Sequence, residues 1–244
     1  VQLKRDVPIL VNIDVQATDV TTGAIFVRWI KPLLGINALD TVAIQGPYEF
    51  RLVHHDGFTG TFSTVYSITE PYFLGLNQLT DTTFNHIGTL SDTLNTQTIP
   101  HTYKIEFYAN GQFIGNGQKS SSVFLSLTPS DNKLTLSWQQ QTPWLNYKYY
   151  IYRKAPGEAA YSLIDSTTFL TYQDVGLVNG ALYCYKVQSK GQYSDPSILR
   201  PLLNFSQEVC AKPKDSTPPC APKLNIVSDC EIPTLSLQWN NPNN

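Results

Sequence analysis

Three times in this chain an apolar-x-apolar-x-Trp pattern occurs, each time followed within a few residues by proline. Ile25, Val27 and Trp29 precede Pro32; Leu134, Leu136 and Trp138 precede Pro143; Leu235, Leu237 and Trp239 precede Pro242. Alternation of this kind puts three large side chains on one face of a strand, so each copy reads as a half-buried β-strand. The copies recur at about 100 residues, the size of a whole β-sandwich and far too long for a solenoid unit. A chain of 244 residues then holds two such units and the start of a third. A hydrophobic fraction of 41% is enough to fill two cores, and long apolar helical stripes are missing, so the expected class is all-β.

The boundaries that follow are 1–121 for a first sandwich, 122–213 for a second, and 214–244 for a linker with two strands of a third. In the first unit, strands are expected at 9–15, 24–29 and 48–54, with Tyr48, Phe50 and Leu52 facing inward. The interval from Trp29 to Tyr103 is much longer than its counterpart from Trp138 to Tyr183. An insertion is therefore expected within 62–95, an extended hairpin or a crossing loop around Pro71, Tyr72 and Phe73. The strand at 103–108 reaches Asn110-Gly111, a two-residue hairpin signal, and returns through Phe113 towards Ser120. Almost nothing separates this from Val123, where the second unit starts. A stiff junction with rod-like stacking is expected. The third copy ends after its second strand, so Leu235, Leu237 and Trp239 need cover from elsewhere.

Within the second unit, Asn179-Gly180 leads into a strand with Tyr183, Tyr185 and Val187 on one face and Cys184 and Lys186 on the other. A tyrosine at the start of such a strand can bury its ring and return its hydroxyl to the backbone of the preceding corner. An equivalent corner is expected where residues 99–102 lead into Tyr103, Ile105 and Phe107. The four cysteines, Cys184, Cys210, Cys220 and Cys230, show no zinc-type spacing, and an even count in a β chain favours disulfides and an oxidising compartment over four reduced thiols. Four cysteines allow three pairings. A last strand at 206–211 lying beside the 183–187 strand would set Cys184 against Cys210, stapling a long loop at 190–205, and leave Cys220 to Cys230.

At the strand-B tryptophans, at Tyr149, Ile151, Tyr152 and Arg153, and at the Tyr183 corner, the second and third copies resemble fibronectin type III domains. More narrowly, Thr18, Asp19 and Gly23 running on to Pro32, Gly46-Pro47-Tyr48, and Asp215 running on to Cys220 are similar to repeats of large exported Bacteroidetes proteins. Those are gliding-motility-associated and adhesin-like chains, usually carrying a sorting domain for type IX secretion. The resemblance implies tandem fibronectin-type-III-like (immunoglobulin-like) antiparallel β-sandwiches. It further implies a non-catalytic structural or adhesive rod segment of a secreted or cell-surface protein. Implied partners are surface proteins or glycans, secretion or outer-membrane machinery, and neighbouring repeats of the same longer chain. The alternative is a carbohydrate- or protein-binding accessory module of a secreted multidomain enzyme. The start at Val1 and the absence of Met read as a piece of something longer.

Chemistry is sparse. The formal net charge of −2 is spread along the chain and builds no basic field for nucleic acid, and no apolar run is long enough for membrane insertion. No nucleophile motif or carboxylate pair stands out, so no catalytic residue, cofactor or metal ligand is assigned. His54 and His55, being neighbours on a strand, point to opposite faces and cannot chelate together; with His86 and His101 they read as solvated strand-end histidines. Residues 147–154, rich in tyrosine and basic side chains, read as a strand with Tyr149 and Ile151 inside. Trp144, beside Pro143, and Tyr147 are the candidate ligand contacts, with packing of Trp144 against the neighbouring domain as the competing reading. Asn204-Phe-Ser206 is a glycosylation sequon, and the Asp-Ser/Thr steps at Asp40, Asp81, Asp92, Asp165 and Asp215 resemble O-glycosylation acceptor sites of Bacteroidetes.

Overall fold

The computed structural model describes residues 5–33, 39–71, 81–215, 221, 224–229 and 234–239. Every regular element among them is a strand, and the sheets are antiparallel. In the first half these are β1 (Ile9–Ala17), β2 (Ala24–Ile30), β3 (Tyr48–Asp56), β4 (Ser63–Glu70), β5 (Asp81–Ile87), β6 (His101–Ala109), β7 (Gln112–Asn116) and β8 (Ser120–Ser121). One sheet runs β1-β2-β5; the other runs β4-β3-β6-β7, with β8 continuing along β6. Period-two alternation turns Ile13, Val15, Ile25, Val27 and Trp29 of one sheet towards Tyr48, Phe50, Leu52, Ile105 and Phe107 of the other. All of them are buried, and each such side chain removed from water contributes about 2 kcal/mol.

The second half repeats this arrangement with β9 (Phe124–Ser130), β10 (Lys133–Gln139), β11 (Leu145–Lys154), β12 (Ser162–Thr167), β13 (Thr171–Val175), β14 (Tyr183–Gln192), β15 (Leu202–Phe205) and β16 (Val209–Ala211). Its sheets run β9-β10-β13 and β12-β11-β14-β15, with β16 also on β14. A last antiparallel pair joins β17 (Leu224–Asp229) to β18 (Thr234–Trp239). The threefold repeat is a repeat of register. Trp29 lies opposite Leu10, Trp138 opposite Leu125, and Trp239 opposite Leu224.

Local expectations hold at several turns. Asn110 and Gly111 both take left-handed backbone angles (φ 48° and 75°), the pair a tight hairpin requires. The Tyr183 hydroxyl accepts a hydrogen bond from the Val178 amide at 3.2 Å, closing the corner that precedes β14. Cys184 and Cys210 face each other in the β14–β16 register and form a disulfide.

Other expectations need correction. The Tyr103 hydroxyl does not return to its corner; it pairs with Nδ1 of His86 at 2.8 Å, and His101 holds the corner by donating Nε2–H to the Asn95 carbonyl at 2.9 Å. The loop expected at 190–205 is shorter, covering 193–201, since β14 runs on to Gln192 and β15, which starts at Leu202, pairs with it. The last strand is therefore two short pieces, β15 and β16, separated at Ser206, Gln207 and Glu208. The long interval at 62–95 is a crossing: β4 pairs in one sheet and β5 in the other, while Tyr72 and Phe73 lie outside the described residues. Leu224, Ile226 and Leu237 are more than half exposed, so the expected cover over Leu237 is not there. The side chains of Leu235 and Trp239, and the pairing of Cys220 with Cys230, lie outside the described residues.

Candidate functional site

Two places in the fold carry polar groups that packing alone does not call for. The first is the end of the first core. In the continuous β3–β6 ladder, Tyr48 faces Ala109, Phe50 faces Phe107, Leu52 faces Ile105, His54 faces Tyr103 and Asp56 faces His101. Directly opposed residues project to the same side, and so do residues two apart on one strand. The inward face is therefore apolar for three rungs and turns polar for the last two. From the opposing sheet, His86 of β5 closes over it, its ring 5.0 Å from that of His54.

These histidines are not solvated strand ends. His54, His55 and His101 are all buried, and His101 is only 1% exposed. His55 points away from the cluster, as strand geometry demands, and packs on Phe62. The His101 Nε2 bond to a carbonyl fixes the proton on that nitrogen, so the neutral ring presents a bare Nδ1 to the cluster. That Nδ1 lies 2.9 Å from Nε2 of His54 and 3.1 Å from Oδ1 of Asp56, and the carboxylate is 3.7 Å from His54 Nε2. Burial pushes the His54 imidazole down to about 3, helped by the proximity of His101 and His86. Burial lowers His101 and His86 as well, although Asn95 and Asp56 oppose it at His101. The three rings are thus held neutral, and His54 and His86 line, with Asp56, a hollow of about 360 Å³. Sequence reading missed the grouping although its signal is present: His54 and Asp56 continue the parity of Tyr48, Phe50 and Leu52, and His101 that of Tyr103 and Ile105.

The second place is the seam between the two halves. β1 is an edge strand of its sheet, β15 an edge strand of another, and the two run side by side in the same direction. Asn12 Nδ2 donates to the Leu203 carbonyl and the Ile13 amide donates to Asn204 Oδ1, both at 2.8 Å. The Phe205 amide donates to Asp14 Oδ1 at 2.5 Å, and the Glu208 amide to Thr18 Oγ1 at 2.7 Å. Side chains of each edge thus satisfy backbone groups of the other, which blocks both edges without fusing the sheets. Apolar packing continues the contact. Tyr193, Ile198 and Leu202 join the first core's cluster, and the Tyr193 hydroxyl donates to the Leu10 carbonyl at 2.7 Å. The covalent junction is buried too: Ser122 exchanges bonds with the backbone of His101, and Ser121 with that of Gln141.

Trp144 belongs to this seam. It is 5% exposed, its ring meets Tyr193 edge-on at 5.8 Å, and its Nε1 donates to Asn146 Oδ1, so it is a packing residue and not an exposed anchor. Tyr147 is 38% exposed and is not brought together with it. Tyr149 and Ile151 point inward as expected. Asn204, the sequon residue, is buried in the seam and unavailable to a glycosyltransferase in the folded chain. Among the candidate O-acceptors, Thr41 and Thr93 are exposed. No protein-family model matches the chain, and no curated protein matches it. No helix among the described residues is long and apolar enough to cross a membrane, and the Cys184–Cys210 bond fits an oxidising environment.

Proposed function

We propose that this chain is a rigid, non-catalytic segment of an exported cell-surface protein, made of tandem fibronectin-type-III-like sandwiches that space or display binding modules. The observation that carries this reading is the seam: two halves of identical strand order are locked along β1 and β15 by reciprocal hydrogen bonds and a shared apolar cluster. A hinged pair of domains would leave such edges to solvent; a spacer that must hold direction buries them. The strand order, the Tyr183 corner and the repeated Trp register support kinship with fibronectin type III domains. The motifs shared with Bacteroidetes surface proteins support type IX export, with surface proteins, glycans or secretion machinery as partners. Small-angle scattering of the full chain tests the reading. One fixed arrangement of the two sandwiches should account for the profile, and a profile that demands a spread of angles between them defeats it.

A groove at the seam favours the second reading, an accessory module that binds carbohydrate. Tyr152, Tyr161 and Phe205 line about 380 Å³ together with Asp14, Gln16 and Lys186, an aromatic floor with hydrogen-bonding walls. On that reading a polysaccharide array gives a signal that Tyr161→Ala removes.

A further inference from the structure

At the polar end of the first core two acceptors, His101 Nδ1 and Asp56 Oδ1, meet a single donor, the Nε2–H of His54. His101 Nδ1 is bare because its other nitrogen serves the Asn95 carbonyl, and it faces the Asp56 carboxylate at 3.1 Å. His54 Nε2 completes a triangle with sides of 2.9, 3.1 and 3.7 Å. A point equidistant from three atoms so placed lies about 1.9 Å from each, so an ion at the 2.0–2.1 Å of a zinc–nitrogen bond sits slightly out of their plane. That is three corners of a tetrahedron. We propose that His54 Nε2, Asp56 Oδ1 and His101 Nδ1 bind a divalent transition-metal ion of the zinc type, with the fourth position open to the adjoining hollow.

The surroundings meet the other requirements of such a site. Two imidazoles and one carboxylate suit zinc, cobalt or nickel and disfavour magnesium and calcium, which take oxygen ligands. The outer support is built. The Asn95 carbonyl orients His101, and both backbone groups of His101 are held by Ser122, so that ligand cannot swing. His54 is wedged between the rings of His86 and Tyr103, with centroids at 5.0 and 4.8 Å. On metal entry, His54 carries its proton on Nδ1 and leaves Nε2 to the ion. The Asp56 side chain is 64% exposed, which gives an ion its way in, and His86, Ser63 and Asp92 line the hollow beyond the open position. Because Asp56 and His54 stand on β3 and His101 opens β6 against the junction, the ion would clamp the end of the first sandwich that adjoins the second.

The test is titration of the full chain with Co²⁺ followed by visible absorption, with Zn²⁺ as competitor. A Cys220→Ser, Cys230→Ser background keeps thiols from serving as ligands. One equivalent of Co²⁺ should give the intense d–d bands of a four-coordinate N/O site, displaced by Zn²⁺ and not by Mg²⁺. Asp56→Asn, at an exposed position that leaves the core untouched, should weaken binding at least about tenfold, and His54→Gln should abolish it. Asp165→Asn, a carboxylate of the second sandwich outside the triangle, should leave affinity within about threefold. Absence of any Co²⁺ or Zn²⁺ binding overturns the proposal, as does binding that Asp56→Asn and His54→Gln leave unchanged. Should His54→Gln fail to fold, Asp56→Asn decides alone.

Discussion

Asn204 and Asp14 show how single side chains close a sheet edge. Asn204 Oδ1 accepts from the buried Ile13 amide and from Asn12, so Asn204→Ala strands a backbone donor as well as deleting a bond. A loss of about 1–3 kcal/mol in denaturant unfolding is expected. Asp14 accepts from the Phe205 amide and from Gln16 Nε2, which favours its charge, yet burial outweighs both and raises its carboxyl from 3.8 to about 6. Because the folded value lies above the unfolded one, protonation favours the folded seam. The contribution is fully present below about pH 4 and is lost as pH rises through about 6. At about 1.4 kcal/mol per unit, the swing is about 3 kcal/mol at most. Stability measured from pH 4 to 7 should show this descent, and Asp14→Asn should flatten it; an unchanged slope in that variant would assign the descent to other groups.

At the scale of elements, the interrupted last strand is the inventive part of the second sandwich. Ser206 takes over the pairing with Val187 that a regular strand would supply, donating its amide N–H to the Val187 carbonyl and accepting the Val187 N–H at Oγ. The break lets Gln207 turn across to β9, where its amide accepts from the Leu125 N–H at 3.0 Å and donates to the Leu125 carbonyl at 2.9 Å. One side chain thus imitates a strand on the edge of the β9-β10-β13 sheet. Gln207→Ala should cost about 2 kcal/mol, seen as a lower melting temperature and as faster amide exchange at Leu125. The Cys184–Cys210 bond closes a loop of 26 residues around the same break, for which chain entropy predicts a contribution of about 3 kcal/mol. Reduction, or the paired Cys184→Ser, Cys210→Ser replacement, should lower the midpoint of unfolding accordingly; an unmoved midpoint would mean that the pairing of β14 with β16 holds the break unaided.

Over the whole molecule the seam couples two cores into one unit. Calorimetry of the full chain should show the first and second halves melting in a single transition, because unfolding either exposes edge strands and apolar surface of the other. Tyr193→Phe removes the hydroxyl that serves the buried Leu10 carbonyl and should broaden the transition or separate it into two. A wild-type chain that already melts in two well-resolved steps would contradict the coupling.

What the sequence by itself determined here is everything that depends on period two and on turn chemistry. Strand positions, inward faces, the Asn110-Gly111 hairpin, the Tyr183 corner and the Cys184–Cys210 pair follow from short-range alternation, which the chain carries residue by residue. What only the tertiary structure decided is which polar residues meet. His86 lies on the opposing sheet from His54 and His101, and Asn204 is 191 residues from Ile13. Alternation says which face a side chain takes, but not the register between strands or the sheet that will cover it. Trp144 was ambiguous for the same reason. A tryptophan beside proline is an anchor if its loop faces water and a core residue if another sheet edge closes over it, and that choice is made by the packing of β1 against the second half.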